Sequence, residues 1–255
     1  DGVNETDCVT GEYDQVQHVI IEGGTWDRNI IDQGTDTRAA AVIRINHGDD
    51  ITIRNTTLLH ASDHFMNLSG TNHVTIENMT FHDFVYSYLD KQYSKRGLNE
   101  CVHTDSMQKV CEPSSYPQDN TVVQNMTVDG CTFLNVPCGV GSHSWTTDDQ
   151  TIYRSNNITV KNCIFKNLAG RGVDAYSTDN FIVENCTAED CASLVLARDA
   201  TGEITGNTVN STKVDTDHNV IGDEGSGISV LDCPEGVTVT NNQVFNAVKN
   251  GIWIR

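Results

Sequence analysis

Ile51-Thr-Ile-Arg-Asn55 is followed 23 residues on by Val74-Thr-Ile-Glu-Asn78, and the fold turns on that recurrence. The phrase returns as Ile158-Thr-Val-Lys-Asn162, Phe181-Ile-Val-Glu-Asn185 and Val237-Thr-Val-Thr-Asn241. Met126-Thr-Val-Asp-Gly130 and Glu203-Ile-Thr-Gly-Asn207 are weaker copies. Alternating β-branched residues describe a short strand of period two. The closing Asn fits a tight turn, because its side chain tolerates left-handed backbone. A fixed period of 20–50 residues marks a solenoid, in which larger gaps are insertions on one face. No segment sustains helical periodicity, and four prolines in 255 residues suit a chain that is nearly all ladder. The expected fold is all-β: a single-stranded right-handed parallel β-helix filling residues 1–255.

A second set of short strands follows these phrases. They read His64-Phe-Met-Asn-Leu68, Glu100-Cys-Val-His-Thr-Asp105, Gly139-Val-Gly-Ser-His143, Gly172-Val-Asp-Ala-Tyr176, Leu194-Val-Leu-Ala-Arg198, Gly227-Ile-Ser-Val-Leu231 and Gly251-Ile-Trp-Ile-Arg255. Aligned on their apolar positions, Met66, Val102, Val140, Val173, Ile228 and Ile252 point inward. Asn67, His103, Gly141, Asp174, Val195, Ser229 and Trp253 then form one outward column, and Ser69, Asp105, His143, Tyr176, Ala197, Leu231 and Arg255 the next. A slip of one residue would exchange the two faces.

The balance of 16 basic to 35 acidic residues gives a net charge of −19. Such a surface disfavours nucleic acid and anionic membranes as partners, since phosphate binding needs a basic face. It also disfavours polyanionic sugars that no cation bridges. No apolar run reaches membrane-spanning length. No signal peptide is evident, which leaves a cytosolic chain, a mature product or an excised domain. Residues 251–255 still read as strand, so further domains or a partner subunit are expected to cover the open ends. Eight Asn-x-Ser/Thr sequons have a structural reason to recur in such a repeat and carry no weight for glycosylation.

Nine cysteines leave at least one unpaired. Cys131, Cys163 and Cys186 share one repeat position and read as a ladder of small core residues. Cys101 and Cys111 bracket a loop that a disulfide would pin. Histidines and cysteines lack close metal-ligand spacing, so no metal site is expected. Asp148-Asp149 and the acidic stretch 215–224 read as solvated turns. Calcium is the only cofactor left open, and neither stretch follows its loop pattern.

His103, Asp105, His143, Asp174, Tyr176 and Arg198 fall on three or four successive rungs, spaced about 4.8 Å apart. Two insertions, at 84–99 and 106–121, flank them. Glycoside hydrolysis needs two carboxyl groups about the scissile bond. Asp105 is the best-placed carboxyl, with Glu112 or Asp174 as its partner. His103 and His143 suit sugar hydroxyls, Tyr176 and Trp145 suit stacking on a sugar ring, and Arg198 suits an orienting donor. Each of these residues alone also reads as a solvated strand or turn residue; their co-location is the signal.

The chain resembles the pectin-lyase-like β-helix superfamily. Asn72-His-Val-Thr-Ile-Glu-Asn-Met-Thr-Phe81 and His18-Val-Ile-Ile-Glu-Gly-Gly-Thr-Trp26 are similar to polygalacturonase-type glycosidases. Glu100-Cys-Val-His-Thr-Asp105 followed by Gly139-Val-Gly-Ser-His-Ser144 resembles secreted bacterial β-helix glycosidases of the lacto-N-biosidase-like group. That resemblance implies two acidic catalytic residues close in sequence, acting on neutral glycans, with Asp105 the first and Glu112 the second. The Asn-Thr-Asp-Gly, Asp-Asp, Gly-His-Gly and Arg-Ile-Lys strands of polygalacturonases are missing from the matching rungs. The expectation is an extracellular or cell-surface glycoside hydrolase domain. A non-catalytic glycan-binding or adhesin module and a uronan lyase or epimerase are the alternatives.

Overall fold

The computed structural model describes residues 16–27, 41–61, 64–84, 100–105, 122–143, 145–146, 152–214 and 225–255, without the side chains of 105, 145 and 146. Among these the chain winds through three parallel sheets, one strand of each per turn. The first sheet runs Val16–Glu22, Gly48–Arg54, Asn72–Glu77, Gln124–Asp129, Ser155–Lys161, Phe181–Glu184, Gly202–Thr205 and Val237–Thr240, with Thr178–Asp179 beside Ser155–Lys161. The second holds strands of two or three residues between the two sets read from sequence, such as Thr57–Leu59, Thr80–His82 and Thr132–Leu134. The third runs Ile43–Asn46, Met66–Ser69, Glu100–Asp105, Cys138–Ser142, Arg171–Tyr176, Ser193–Arg198, Ile228–Leu231 and Ile252–Ile254. Trp145–Thr146 and Ile152–Tyr153 form a small antiparallel pair.

The repeat register is as the phrases foretell. Ile51 lies beside Val74, Val74 beside Met126, and Met126 beside Ile158. Asn55, Asn78, Asn162, Asn185 and Asn241 all have φ between 52° and 55°. Gly130 and Gly206 take the same left-handed corner in the weaker copies. A left-handed residue costs little for Gly and is eased for Asn by local hydrogen bonds. Asn side chains also bond along the stack, from Asn180 to Asn157, Asn157 to Asn125 and Asn125 to Asn72.

Two ladders fill the interior. Phe81, Phe133 and Phe165 stack with centroids 4.8 and 4.9 Å apart, all fully buried. Cys131, Cys163 and Cys186 stack behind the Asn corner, each thiol donating to a carbonyl on the rung before. Cys101 is a buried thiol; Cys111, the other half of the bridge that the sequence left open, lies outside the described residues. Burial pushes the Cys101 and Cys138 thiols up, and Cys191 up to about 11, as expected of inert core cysteines.

One sequence assignment needs correction. Val173 pairs with Val195 and Asp174 with Leu196, so Leu196 and Arg198 face outward on that rung and Val195 and Ala197 face inward. Several outward positions of the third sheet are also buried: Asn67, Ser69, Leu196, Ser229 and Leu231.

Candidate functional site

The site lies on the outward side of the third sheet, between Met66–Ser69 and Arg171–Tyr176. Its register puts Asn67 beside His103, His103 beside Gly141, and Gly141 beside Asp174. Glu100 begins its strand opposite Cys138. From there its side chain reaches three residues along to His103. Glu100 Oε2 meets His103 Nδ1 at 3.0 Å, and Oε1 meets His143 Nε2 at 3.1 Å.

Glycine makes this arrangement possible. A Cβ at Gly141 would stand 2.5 Å from Glu100 Cγ, 2.8 Å from its carboxyl carbon and 2.8 Å from His143 Nε2. The Glu100 carboxylate therefore occupies the outward space that any other residue at 141 would fill. Gly139 and Gly172 serve the layer beneath, where Phe165 lies against them and a Cβ would meet its ring at 2.5 and 3.0 Å.

His143 is fixed through its backbone. Its N–H donates to Thr104 Oγ1, and its carbonyl accepts from Ser155 Oγ. His64 joins from the rung before, with Nδ1 2.9 Å from the Glu100 carbonyl oxygen. Its ring stacks on that of His103 at 4.0 Å and 9°. His103 and His143 rings are 5.3 Å apart. On the far side of Gly141, Arg171 Nη1 donates to Asp174 Oδ2 at 2.8 Å, the same three-residue reach as Glu100 to His103. The Glu100, Arg171 and Asp174 side chains are each about nine-tenths buried.

Burial alone would raise the Glu100 carboxyl. The charge of His143 and hydrogen bonds from His103 and His143 outweigh burial and hold it well below the usual carboxylate range. His143 is the mirror case: burial lowers it, but the Glu100 charge and hydrogen bond raise it above an ordinary histidine. The result is a desolvated carboxylate–imidazole couple, an arrangement that recurs where proteins do chemistry.

The structure brings together some of the residues singled out from sequence and separates others. His103 and His143 meet through Glu100, and Asp174 lies one rung on with Arg171. Tyr176 and Arg198 pair with each other instead, the guanidinium 5.7 Å from the ring centroid, and Arg198 also faces Asp232. Asp105 has its backbone beside Ser69 at the strand end. Glu112 and the side chains of Asp105 and Trp145 lie outside the described residues. Glu100, His64 and Arg171 were not among the sequence candidates. Each stands two residues before an inward apolar residue (Met66, Val102 or Val173), and that offset is the signal that finds them.

Rungs of three parallel strands, an inward ladder of stacked side chains and a polar strip on one outward face define a parallel β-helix. The chain belongs to the family described as right handed beta helix region, whose model matches residues 29–255. Among solved structures it is similar to PfbA, a surface adhesin of Streptococcus pneumoniae, at 15% identity and a TM-score of 0.62, over 96% of this chain and 73% of that one. A second structure of the same adhesin gives 16% and 0.59, over 97% and 79%. An alginate lyase from Paenibacillus sp. str. FPU-7 is similar at 12% and 0.53, over 91% and 80%. At these identities the likeness concerns the fold. No curated protein matches the chain. Among the described residues no helix is long and apolar enough to cross a membrane.

Proposed function

We propose that this chain is an extracellular or cell-surface carbohydrate-active domain that hydrolyses neutral glycans on the outward strip of its third sheet. The observation that carries the proposal is the polar strip about Gly141: His103 and Asp174 lie beside it on the neighbouring rungs, and Glu100, over it, holds His103 and His143. Asp105, two residues beyond His103, is the catalytic carboxyl on this reading, and Glu112 or Asp174 supplies the second. The salt-bridged carboxylate of Asp174 suits a base or nucleophile better than an acid. His103 and His143 present imidazole edges to sugar hydroxyls, and Tyr176, 40% exposed, offers a ring face. The acidic surface favours neutral sugars over polyanions.

One observation favours a second reading, a glycan-binding or adhesin module without turnover. Glu100 and Asp174 already have partners within the chain, and a satisfied polar network reads as architecture. Incubation with a panel of neutral glycans and uronans, with released sugar detected by mass spectrometry, separates the two. Release from neutral glycans that disappears in Asp105→Asn supports the hydrolase. Release that survives moves the centre elsewhere on the helix, and binding without release supports the module. An unsaturated product from a uronan would point to a lyase.

A further inference from the structure

Sequence spacing offered no metal site, because 36 residues separate His64 from Glu100. In a solenoid one turn does what close spacing does elsewhere. His64 and Glu100 hold equivalent positions: Met66 pairs with Val102, so the residues two before them lie on adjacent rungs. His103 stands three residues beyond Glu100 and turns back to it. One nitrogen of His64, one nitrogen of His103 and one carboxylate oxygen of Glu100 thus lie within 4.8 Å of one another.

We infer that His64, Glu100 and His103 form a binding site for a late first-row divalent cation, with zinc the best match. Two imidazoles and one carboxylate are a donor set that suits zinc, which binds such nitrogens and oxygens at about 2.0–2.2 Å. Tetrahedral ligands then lie about 3.4 Å apart, so these atoms close on an ion with side-chain shifts of about 1 Å. The two imidazoles stack at 4.0 Å and 9°, so binding tilts the rings out of parallel to turn both in-plane lone pairs onto one ion. Metal ligands are commonly held by an outer shell of hydrogen bonds. Here Glu100 Oε1 is held by His143 Nε2 while Oε2 faces His103, and His64 Nδ1 meets the Glu100 carbonyl oxygen. Three protein ligands leave a position for water or for a hydroxyl of a bound molecule. Among the described residues, the pairs His18–Asp50, His60–Asp27, His73–Asp49 and His82–Asp83 are more exposed and bring one imidazole each. The net charge of −19 draws cations to the whole molecule, so stoichiometry and ligand identity must carry the test.

This inference does not rest on the glycan reading, since metal binding without turnover leaves it standing. The full chain, stripped with a chelator and dialysed, is titrated with zinc by calorimetry and with cobalt(II) in the visible. The expected result is one tight equivalent and a cobalt spectrum of low coordination number. X-ray absorption of the zinc-loaded wild type should count two imidazoles. His64→Gln and His103→Gln, checked for fold by circular dichroism, should each weaken binding by more than about 100-fold. His143→Gln should stay within the 10–100-fold of an outer-shell partner. A folded wild type that binds no zinc overturns the inference. So does an absorption spectrum without two imidazoles, or affinity unchanged in the His64→Gln/His103→Gln double variant.

Discussion

Gly141→Ala is a one-carbon change whose consequence can be worked out from the site. Gly141 does not adopt a left-handed φ, so alanine meets no backbone penalty there. Its Cβ would instead lie 2.5 Å from Glu100 Cγ and 2.8 Å from His143 Nε2, and the carboxylate must leave. Two hydrogen bonds to a charged group go with it, His103 at 3.0 Å and His143 at 3.1 Å. Each such bond is worth about 1.5–3 kcal/mol. Loss of unfolded-chain freedom on replacing glycine returns about 0.4–1 kcal/mol. The net destabilisation is about 2–5 kcal/mol, read as a lower denaturant midpoint. The decisive comparison is the double variant. Glu100→Ala is itself destabilising, but it empties the space over Gly141, so Gly141→Ala should cost under about 1 kcal/mol in that background. Equal costs in the two backgrounds would refute the placement of Glu100 over Gly141.

Other expectations follow from the same architecture. Phe133→Ala removes the middle ring of the Phe81–Phe133–Phe165 stack and should cost about 3–5 kcal/mol in denaturant unfolding, more than an Ile164→Ala change on the exposed side of the neighbouring strand. Asn162→Ala keeps a β-carbon at φ 53° but loses the amide that donates to Asp129 Oδ1, and should cost about 1–2 kcal/mol, whereas Asn162→Gly, which relieves the backbone, should be milder by the same measurement. At Asp199, burial raises the carboxyl but hydrogen bonds from Ser177 and Arg154 hold it below its ordinary value. Its contribution is therefore complete above the unfolded carboxyl pKa near 4 and is lost as pH falls through the lower folded value. Arg154→Met should move the Asp199 carboxyl resonance to titrate at higher pH.

The sequence made the first sheet legible because Asn corners and β-branched alternation recur together, from Ile51–Asn55 to Val237–Asn241. The two- and three-residue strands of the second sheet were too short for alternation to set them apart from the turn. The register of the third sheet was readable where polar residues alternate with apolar ones, as in Val102, Val140 and Val173. It failed at Ser193–Arg198, where Leu194, Val195, Leu196 and Ala197 are all buried and period two no longer distinguishes the faces. His103 and His143 were legible as outward residues of that sheet. Glu100 was not, because its place in the alternation assigns it inward, while at the start of a strand its side chain reaches along to His103.

On the proposed reading, carbohydrate is handled on the outward strip of the third sheet. The most direct test is to titrate the isotope-labelled protein with the neutral glycan that the panel selects and map the amide shifts. Perturbations are expected to concentrate at 64–69, 100–105, 139–143 and 171–176. Arg154 donates to Asp179 and Asp199 in a cleft on another face, and shifts confined there would overturn the assignment.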